Sequence, residues 1–397
     1  MISAFLMHLF CILLRLIYLP FKALRPRNKV VFISRQGNQP SMDFLMLAEE
    51  LKKQNSALEV VILCRYIKKG LISKILYAFH MLRQMYHLAT SKACVLDGYC
   101  IAACVLRHHK QLKIYQLWHA VGLLKNFGYA AEGLKEGSSS QTIRIMRMHR
   151  GYHRIMCSSE KIVSDIARCY DAEEERFMPL GLPRVDFLTD PNALSACREK
   201  ILKECPALQG EKQVILYAPT FRRNPSCKRP PLEESIDLTR YHLIKKSHGG
   251  RVVLHTEEGE YNIPDRFSGV EWIAAADYVV SDYSAILFEA LAAGRPVALF
   301  CYDLEDYGAD RGFAIDYHKI PLPVCVTADQ VAKTIEANAF DHKAMDEFCG
   351  HYVAARSLRS TAAIGYLIAE EMEGKSISFE EIAAMPQFQK QKEVYHV

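Results

Sequence analysis

Apolar and polar residues are most clearly patterned between positions 274 and 307. Two apolar runs there, DYVV at 277–280 and VALFC at 297–301, are typical of buried strands. Between them, positions 285–293 place apolar side chains on one helical face, and Gly294 follows as a residue suited to a helix C-terminus. This pattern predicts a strand, a helix and a second, parallel strand.

A polar turn, SDYS at 281–284, separates the first strand from the helix. It would lie at the carboxyl end of a parallel strand, where open α/β sheets bind ligands, and beside helical N–H groups that attract anions. Ser281 and Ser284 could donate hydroxyl hydrogens to such an anion, and Asp282 could cap the helix. Alternatively, the serines only cap the helix, and spacing alone does not separate these interpretations.

Strand and helix patterns also alternate along the rest of the chain. Apolar runs predict strands at 29–34, 58–64, 93–96, 113–118, 154–158, 213–217 and 241–248. Helical spacing predicts helices at 42–53, 71–91, 159–170, 328–339 and within 346–371. Such alternation favours parallel, doubly wound sheets. Positions 380–397 are expected to form a loose tail.

The N-terminus begins with an apolar segment. Positions 1–14 carry no formal charge, and Arg15 interrupts the run. Four basic residues follow, namely Lys22, Arg25, Arg27 and Lys29. A signal peptide would carry positive charge first, and a bilayer span needs about 20 apolar residues. The pattern favours a helix in the membrane interface whose basic flank contacts anionic headgroups; a buried core helix and a transmembrane helix are the alternatives.

Composition narrows the class of protein. The chain has 397 residues, enough for two domains, and its 50% hydrophobic and 24% charged residues are usual for a globular α/β protein. The net charge of +5 suits an anionic ligand or membrane and does not require nucleic acid. The 13 cysteines form no C-x-x-C pair and no zinc-ligand spacing, so reduced thiols in a cytosolic protein are expected.

Three polar features could carry chemistry. His119 ends a predicted strand, where a histidine could accept a proton from an alcohol, although a buried structural histidine has the same signature. Arg222 and Arg223 follow another predicted strand, where a guanidinium can grip a phosphate; surface arginines are the alternative. A basic run at 144–154 is either a phosphate or membrane patch or a solvated helix face.

The run SDYSAILFEALAAGRPVALFCYDLEDYGADRGF, positions 281–313, resembles the signature of the CDP-glycerol glycerophosphotransferase family, the teichoic acid primases and polymerases. That family has a (S/T)DYSS turn, a hydrophobic helix ending at a proline, a YDLExY segment and an RGF. Here the proline is Pro296, YDLEDY occupies 302–307, and RGF begins at Arg311.

The family also has a W-H-G-T loop followed by a lysine and a glycine, and its histidine is a proposed catalytic base. Four residues here match that loop, namely Trp118, His119, Lys125 and Gly128. Ala120 and Val121 replace the glycine and threonine of the family pattern.

Further motifs match elsewhere in the chain. A glycine, Pro-Arg and aspartate segment is matched by Gly181, Pro183, Arg184 and Asp186. The family's YAPT(F/W)R is matched at 217–222, which includes Thr220 and Arg222. Its K-x-H-P is matched by a segment ending at His248, with Gly249 in place of proline. His255, which follows the next apolar run, competes with His248 as the second functional histidine.

The resemblance implies a GT-B-like α/β fold with two Rossmann-like, doubly wound parallel-sheet domains and the site in the cleft between them. The predicted parts are a membrane-interface helix with its basic flank at 1–28, an acceptor domain at 29–190, a CDP-donor domain at 191–372, and a tail at 373–397.

The resemblance also implies a reaction, the transfer of a polyol phosphate from a CDP-linked donor, with glycerol phosphate preferred. The acceptor would be the hydroxyl of a lipid-linked or polymeric acceptor in cell-surface polymer synthesis, at the cytoplasmic face of the membrane. No metal and no cofactor is implied. His119 would act as base and His248 would hydrogen-bond a phosphate oxygen. The implied substrate-binding residues are Lys125, Arg184, Thr220, Arg222, Ser281, Asp282, Ser284 and Arg311.

Two other functions stay open. One is a GT-B glycosyltransferase that uses a nucleotide sugar, because the same phosphate-binding turn would serve it. The other is a catalytically weakened, membrane-bound partner protein, which the Ala120 and Gly249 departures suggest.

Overall fold

A computed structural model describes residues 2–67, 70–135, 137–220, 229–247, 251–263 and 266–390. The chain forms two compact units. Unit 1 comprises Met1–His119, Asn126–Arg184 and Ser357–Lys392. Unit 2 comprises Ala120–Lys125, Val185–Arg356 and Glu393–Val397. The domain boundaries expected at 28, 190 and 372 stay a prediction.

Strands and helices alternate along both units, as the hydrophobic pattern predicts. The strands are β1 (Arg27–Ser34), β2 (Glu59–Cys64), β3 (Ser91–Leu96), β4 (Lys113–Gln116), β5 (Arg154–Met156), β6 (Phe177–Met178), β7 (Gln213–Tyr217), β8 (Tyr241–Lys246), β9 (Val252–Thr256), β10 (Gly259–Ile263), β11 (Tyr278–Ser281), β12 (Val297–Phe300) and β13 (Val324–Cys325).

The helices are α1 (Ile2–Lys22), α2 (Met42–Gln54), α3 (Leu71–Thr90), α4 (Ile101–Val105), α5 (Ser140–Ile145), α6 (Val163–Tyr170), α7 (Pro183–Leu188), α8 (Pro191–Glu204), α9 (Gly269–Ala275), α10 (Ile286–Ala292), α11 (Leu304–Arg311), α12 (Ala328–Glu336), α13 (His342–Tyr352), α14 (Ser360–Met372) and α15 (Phe379–Ala383).

The described strands of unit 1 form a parallel sheet in the order β2-β1-β3-β4-β5-β6. Successive side chains of a strand point to opposite faces, so both faces of β1 are buried by helices. Val31 and Ile33 belong to the same core cluster as residues of α1 and α3. On the other face, the Phe32 ring lies 5.1 Å from the Phe44 ring of α2. Unit 1 is therefore a three-layer α/β unit.

The described strands of unit 2 form a sheet in the order β10-β9-β8-β7-β11-β12-β13. Strands β8, β7, β11, β12 and β13 pair in parallel, whereas β9 pairs antiparallel with both β8 and β10. A hairpin edge differs from the fully parallel sheet that the sequence predicts. Only two residues, 257 and 258, separate β9 from β10, and so short a connection permits only antiparallel pairing.

The C-terminal helix α14 packs on α2 and returns the chain to unit 1. Its Glu371, only 1% exposed, accepts hydrogen bonds from Tyr115 (2.8 Å) and Arg154 (3.0 Å) and lies 3.0 Å from the His153 ring. Burial alone would raise the pKa of this carboxyl, but His153, Tyr115 and Arg154 together lower it below its ordinary value. A buried ion-pair network therefore holds α14 on the sheet.

The segment expected to be a loose tail is partly folded. It contains α15, whose capping box joins Ser378 and Glu381, and it buries Ile382 and Phe388. These two apolar side chains explain the difference, because they find a buried place in unit 1. Residues 391–397 lie outside the described part of the chain.

Candidate functional site

In unit 1, His119 lies just beyond the carboxyl end of β4. We call this region the histidine edge; it comprises Gln36, Asp97, Trp118 and His119. The neighbouring strands β1 and β3 bring Gln36 and Asp97 to the same edge, since carboxyl ends of parallel strands meet there. His119 is exposed, whereas Asp97 is buried. The sequence therefore placed His119 correctly at a sheet edge.

The His119 ring is held through its Nδ1. This nitrogen lies 3.1 Å from the main-chain oxygen of Asp97 and 3.2 Å from the side-chain amide nitrogen of Gln36. The carbonyl accepts from a protonated Nδ1, whereas the amide donates to an unprotonated Nδ1, so the two contacts fix the position of the ring and not its tautomer. In the tautomer that donates to Asp97, the lone pair is on Nε2, the nitrogen that can take a proton from a substrate hydroxyl.

The backbone immediately before His119 is strained. Trp118 adopts a left-handed conformation with φ of 66°, which is unusual for a bulky residue. Its N–H donates to the side-chain oxygen of Gln116 (2.9 Å), and its ring stacks on Phe127 with centroids 4.2 Å apart. Such conformations cost about 1–3 kcal/mol and persist where the surroundings hold them. These contacts therefore hold the histidine edge in one conformation.

Arg184 supports the histidine edge from α7. Its guanidinium binds the fully buried Asp43, with Nε donating over 2.8 Å, and its main-chain N–H donates to the same carboxylate over 2.8 Å. Its Nη1 also lies 3.4 Å from the main-chain oxygen of His119. Arg184, predicted to bind substrate, is thus placed where it fixes the His119 backbone.

The buried Asp97 carboxyl has an altered acidity. Burial is the largest cause and raises its pKa to about 6, and the negative charge of Asp43 adds to this effect. Its Oδ1 is buried without a hydrogen-bond partner among the described residues. The histidine edge therefore contains a carboxyl group whose pKa is raised by its burial.

The SDYS turn of unit 2, residues 281–284, follows β11; we call it the serine turn. Ser281 and Asp282 are buried. The Ser281 hydroxyl donates to the main-chain oxygen of Ala218 (2.9 Å), and Asp282 Oδ1 accepts the N–H groups of Thr220 (2.8 Å) and Tyr283 (2.6 Å). These bonds join the carboxyl ends of β11 and β7, so Thr220 lies beside the turn.

The helix after the serine turn begins later than the sequence predicts. Its N-cap is Ala285, which has no side-chain cap, and α10 has seven residues. Asp282 therefore does not cap the helix, because its carboxylate already accepts the N–H groups of the turn. Ser284 is half-buried, and its Oγ accepts the N–H of Ile286 over 3.5 Å.

Aromatic rings connect the serine turn to two predicted substrate-binding residues. Tyr283 stacks on Tyr307 with centroids 4.2 Å apart, and Lys125 Nζ donates to the Tyr307 hydroxyl over 3.2 Å. Lys125 also pairs with Phe313 in an antiparallel bridge. Arg311 lies one helical turn after Tyr307 on α11, on the same helical face. Lys125, Arg311 and the serine turn thus belong to one region of unit 2.

Two predicted site residues, His248 and Arg222, lie outside the described residues. His255, the competing histidine, is described: it lies on the antiparallel β9, opposite Leu243 of β8. That direction turns His255 away from the carboxyl ends of the parallel strands, and burial lowers its pKa. The antiparallel hairpin therefore removes the reason for considering His255 as a competing candidate.

The structure adds residues that the sequence analysis did not select. Arg229 donates from Nη2 to the main-chain oxygen of Thr220 over 2.8 Å. This contact places the positive charge of a guanidinium next to the residue that adjoins the serine turn. Asp43 and Gln36 support the histidine edge. Nothing in their sequence neighbourhoods distinguishes them, because their partners lie far away in the chain. Within the described ranges, no cluster of three or more His, Cys, Asp or Glu residues could hold a metal ion.

Two α/β units with mainly parallel sheets and with polar residues after the parallel strands define a GT-B-like protein. The fold is similar to that of the wall teichoic acid polymerase TagF, with a TM-score of 0.71 at 18% identity over 94% of this chain and 98% of that chain. The sequence profile described as CDP-Glycerol:Poly(glycerophosphate) glycerophosphotransferase matches residues 17–370. The chain belongs to this family of transferases.

Two relatives from Bacillus spizizenii show how far the similarity extends. A teichoic acid ribitol-phosphate primase is 29% identical over 86% of this chain and 91% of its own length. A teichoic acid poly(ribitol-phosphate) polymerase is 30% identical over 84% of this chain, which spans only 54% of that polymerase. The predictions of the family, of the GT-B-like α/β fold and of a transferase are therefore confirmed.

Proposed function

We propose that the protein transfers a polyol phosphate from a CDP-linked donor to a hydroxyl group of a lipid-linked or polymeric acceptor and releases CMP. The observation that carries this proposal is the arrangement of His119. It is exposed at the carboxyl edge of a parallel sheet, and its Nδ1 is held between the Asp97 carbonyl and the Gln36 amide. A neutral imidazole of this kind is suited to general-base catalysis on an alcohol.

The reaction balances with His119 as the base. Nε2 takes the hydrogen of the acceptor hydroxyl while the acceptor oxygen attacks the phosphorus that bears the polyol. The bond between that phosphorus and the bridging oxygen of the pyrophosphate breaks, and its electron pair leaves with CMP. The product is a new phosphodiester, and the proton on His119 is then released to solvent.

Unit 2 supplies the donor-binding groups in this proposal. Ser284, Thr220 and the main chain of the serine turn would contact the pyrophosphate, with positive charge from Lys125, Arg311 and the newly found Arg229. Ser281 and Asp282 act indirectly, since their hydrogen bonds hold the turn. Arg222 and His248 remain predicted phosphate ligands. Stabilising charge that develops on the leaving CMP is the main effect expected of these groups.

The membrane is the proposed place of the reaction. Helix α1 is long and apolar enough to cross a membrane by length and composition alone. Several of its large apolar side chains are exposed, including Phe5 (68%) and Leu19 (60%). We propose that α1 lies in the membrane–water interface at the cytoplasmic face of the membrane, where the enzyme can reach lipid-linked acceptors.

The polyol is the open part of the proposal. The family description names CDP-glycerol, whereas both reported relatives are named for ribitol phosphate. CMP release should be measured with CDP-glycerol and CDP-ribitol, using membrane extract as acceptor. The wild-type protein should release CMP from at least one donor, and His119→Ala should slow that release about 10²–10⁴-fold.

A matched control is His342→Ala, which replaces an exposed histidine at the start of α13. Its activity should equal that of the wild type. Release of UDP from a UDP-sugar, with no CMP released from either CDP-polyol, would establish the glycosyltransferase alternative. Nucleotide binding without any release would favour the weakened-partner alternative and contradict the proposed function.

A further inference from the structure

Helix α3 presents an apolar surface to solvent, although its inner face is already buried. Tyr77, Met81 and Met85 pack in the core of unit 1. The opposite face exposes large apolar side chains at helical spacing, namely Ile72 (76%), Ile75 (49%), Leu76 (46%), Phe79 (66%) and Leu82 (37%). A helix that is apolar all round is normally buried on every side. The outer face of α3 therefore lacks a cover within the described chain.

Helix α2 does not have such an exposed apolar face. Both helices pack against β1, from opposite sides of the sheet. The solvent side of α2 carries Glu49, Lys52 and Lys53, and Leu45 is its one large exposed apolar residue. The solvent-facing surface of α2 is thus mainly polar, whereas that of α3 is mainly apolar.

Helix α1 lies beside α3 and continues its apolar surface. Leu14 and Tyr18 of α1 are buried in the same core cluster as Tyr77 and Met81 of α3. The outer side of α1 exposes Phe5, Leu6, Leu9, Leu13, Leu16 and Leu19. We call the exposed apolar faces of α1 and α3 together the apolar platform.

Contacts along its length hold α1 on unit 1. The Arg15 Nε donates to the main-chain oxygen of Val105 over 3.2 Å, and the Tyr18 hydroxyl lies 2.9 Å from Nδ1 of His108. The charge of Arg15, which interrupts the apolar run in the sequence, is therefore directed into the protein. These contacts keep the axis of α1 along the surface, as an interfacial helix requires.

The charged residues on the two helices of the apolar platform all have one sign. Neither α1 nor α3 contains an aspartate or a glutamate. Lys74 and Arg83 are exposed on α3, Arg25 is exposed beyond α1, and Arg27 donates to the Tyr86 hydroxyl of α3 over 2.9 Å. Basic residues beside exposed apolar side chains complement an anionic bilayer surface. A second copy of the chain would bring like charges together, because a twofold contact pairs the same patch with itself.

We propose that α3 is a second membrane-binding helix and that the apolar platform docks flat on a bilayer containing anionic lipids. The apolar side chains of both helices enter the acyl boundary, and the basic residues contact phosphate headgroups. This inference rests on the proposed membrane location of the transferase reaction, but vesicle binding and CMP release are measured separately. A failure of the membrane proposal can therefore be distinguished from a failure of the proposed function.

The test is co-sedimentation of the full-length protein with vesicles of phosphatidylcholine, with and without phosphatidylglycerol. Replacing two large apolar contacts by charges, in Ile72→Glu/Phe79→Glu, should lower the partition coefficient about tenfold or more. The matched control is Leu45→Glu on α2, which should bind as the wild type does. Wild-type binding should also fall when phosphatidylglycerol is left out.

A second measurement does not depend on removing apolar residues. Phe79→Trp should show a blue-shifted emission and quenching by brominated lipids when vesicles are added, whereas Leu45→Trp should show neither. Unchanged vesicle binding of the Ile72→Glu/Phe79→Glu variant, or equal quenching at positions 79 and 45, would overturn the proposal. A change of oligomeric state without a change in vesicle binding would also overturn it and identify a self-association surface.

Discussion

The histidine edge and the serine turn lie at equivalent places, just after parallel strands of their own sheets, but they use their polar residues differently. His119 is exposed, and the contacts of its Nδ1 with Asp97 and Gln36 hold the ring in place. Ser281 and Asp282 are buried and hydrogen-bond the neighbouring main chain. A polar motif at a strand end can therefore carry the chemistry itself or hold the backbone that does.

The largest expected effect concerns the histidine edge and the proposed role of His119 as the base. His119→Ala should lower kcat by about 10²–10⁴-fold, because a general base contributes about that much. Thermal unfolding should be almost unchanged, since the side chain is exposed. Single-turnover CMP release and a melting curve measure the two quantities. A variant that retained most of its turnover while folded would show that His119 is not the base.

Arg184 tests whether the histidine edge depends on its support. Arg184→Met leaves the Asp43 carboxylate buried without its cation and should destabilise the chain by about 3–5 kcal/mol. The double variant with Asp43→Asn should recover a large part of that loss. Urea unfolding measures both free energies. If Arg184 binds substrate phosphate instead of positioning His119, the double variant should fold well and show a raised KM with a nearly normal kcat.

Asp97 gives the histidine edge a pH-dependent stability. A carboxyl whose pKa is about 6 in the folded chain, above its ordinary value, holds its proton more tightly when folded. Its stabilising contribution is present below about pH 4 and is lost as the pH rises through about 6. Asp97→Asn should remove this loss and be more stable than the wild type at pH 7.5, by up to about 3 kcal/mol.

The measurement for Asp97 is the free energy of unfolding between pH 4 and pH 8, in wild type and variant. The difference between the two should grow across that interval and be small at its acidic end. A pH-independent difference would mean that the buried Asp97 carboxyl does not titrate in this range.

The smallest expected effect concerns the serine turn, where Asp282 holds the main chain. Asp282→Ala leaves the N–H groups of Thr220 and Tyr283 without their acceptor, at a cost of about 2 kcal/mol. Asp282→Asn keeps the accepting oxygen and should restore most of the stability. CDP binding measured by calorimetry should follow the same order. Full donor affinity in a destabilised Asp282→Ala variant would separate the turn from donor binding.

The sequence predicted both regions because each has a local signature. The apolar strands around the serine turn have a period and length that identify them, and His119 follows a strand directly. The supporting residues have no such signature. Arg184 binds Asp43 across 141 positions of the chain, and Thr220 meets Asp282 across 62. Contacts over such separations depend on which strands become neighbours, and hydrophobic periodicity does not report strand order.

The direction of β9 and the exposure of α3 illustrate the same limit. A short apolar run predicts a strand but not whether it runs parallel to its neighbour, so His255 was a candidate until the hairpin was seen. An apolar helix such as α3 is equally consistent with a buried core helix and with a membrane surface. Only the packing of Tyr77 and Met85 identifies the inner face, and thereby the exposed one.

By itself, the sequence determined the alternation of strands and helices, the family and the position of His119, because these depend on local spacing and on motif order. The tertiary structure decided which residues hold the His119 ring, that Ser281 and Asp282 hold the turn, and that Arg184 binds Asp43. Each of these depends on a partner from another strand or helix. Such partners become neighbours only when parallel strand ends meet at one edge of a sheet.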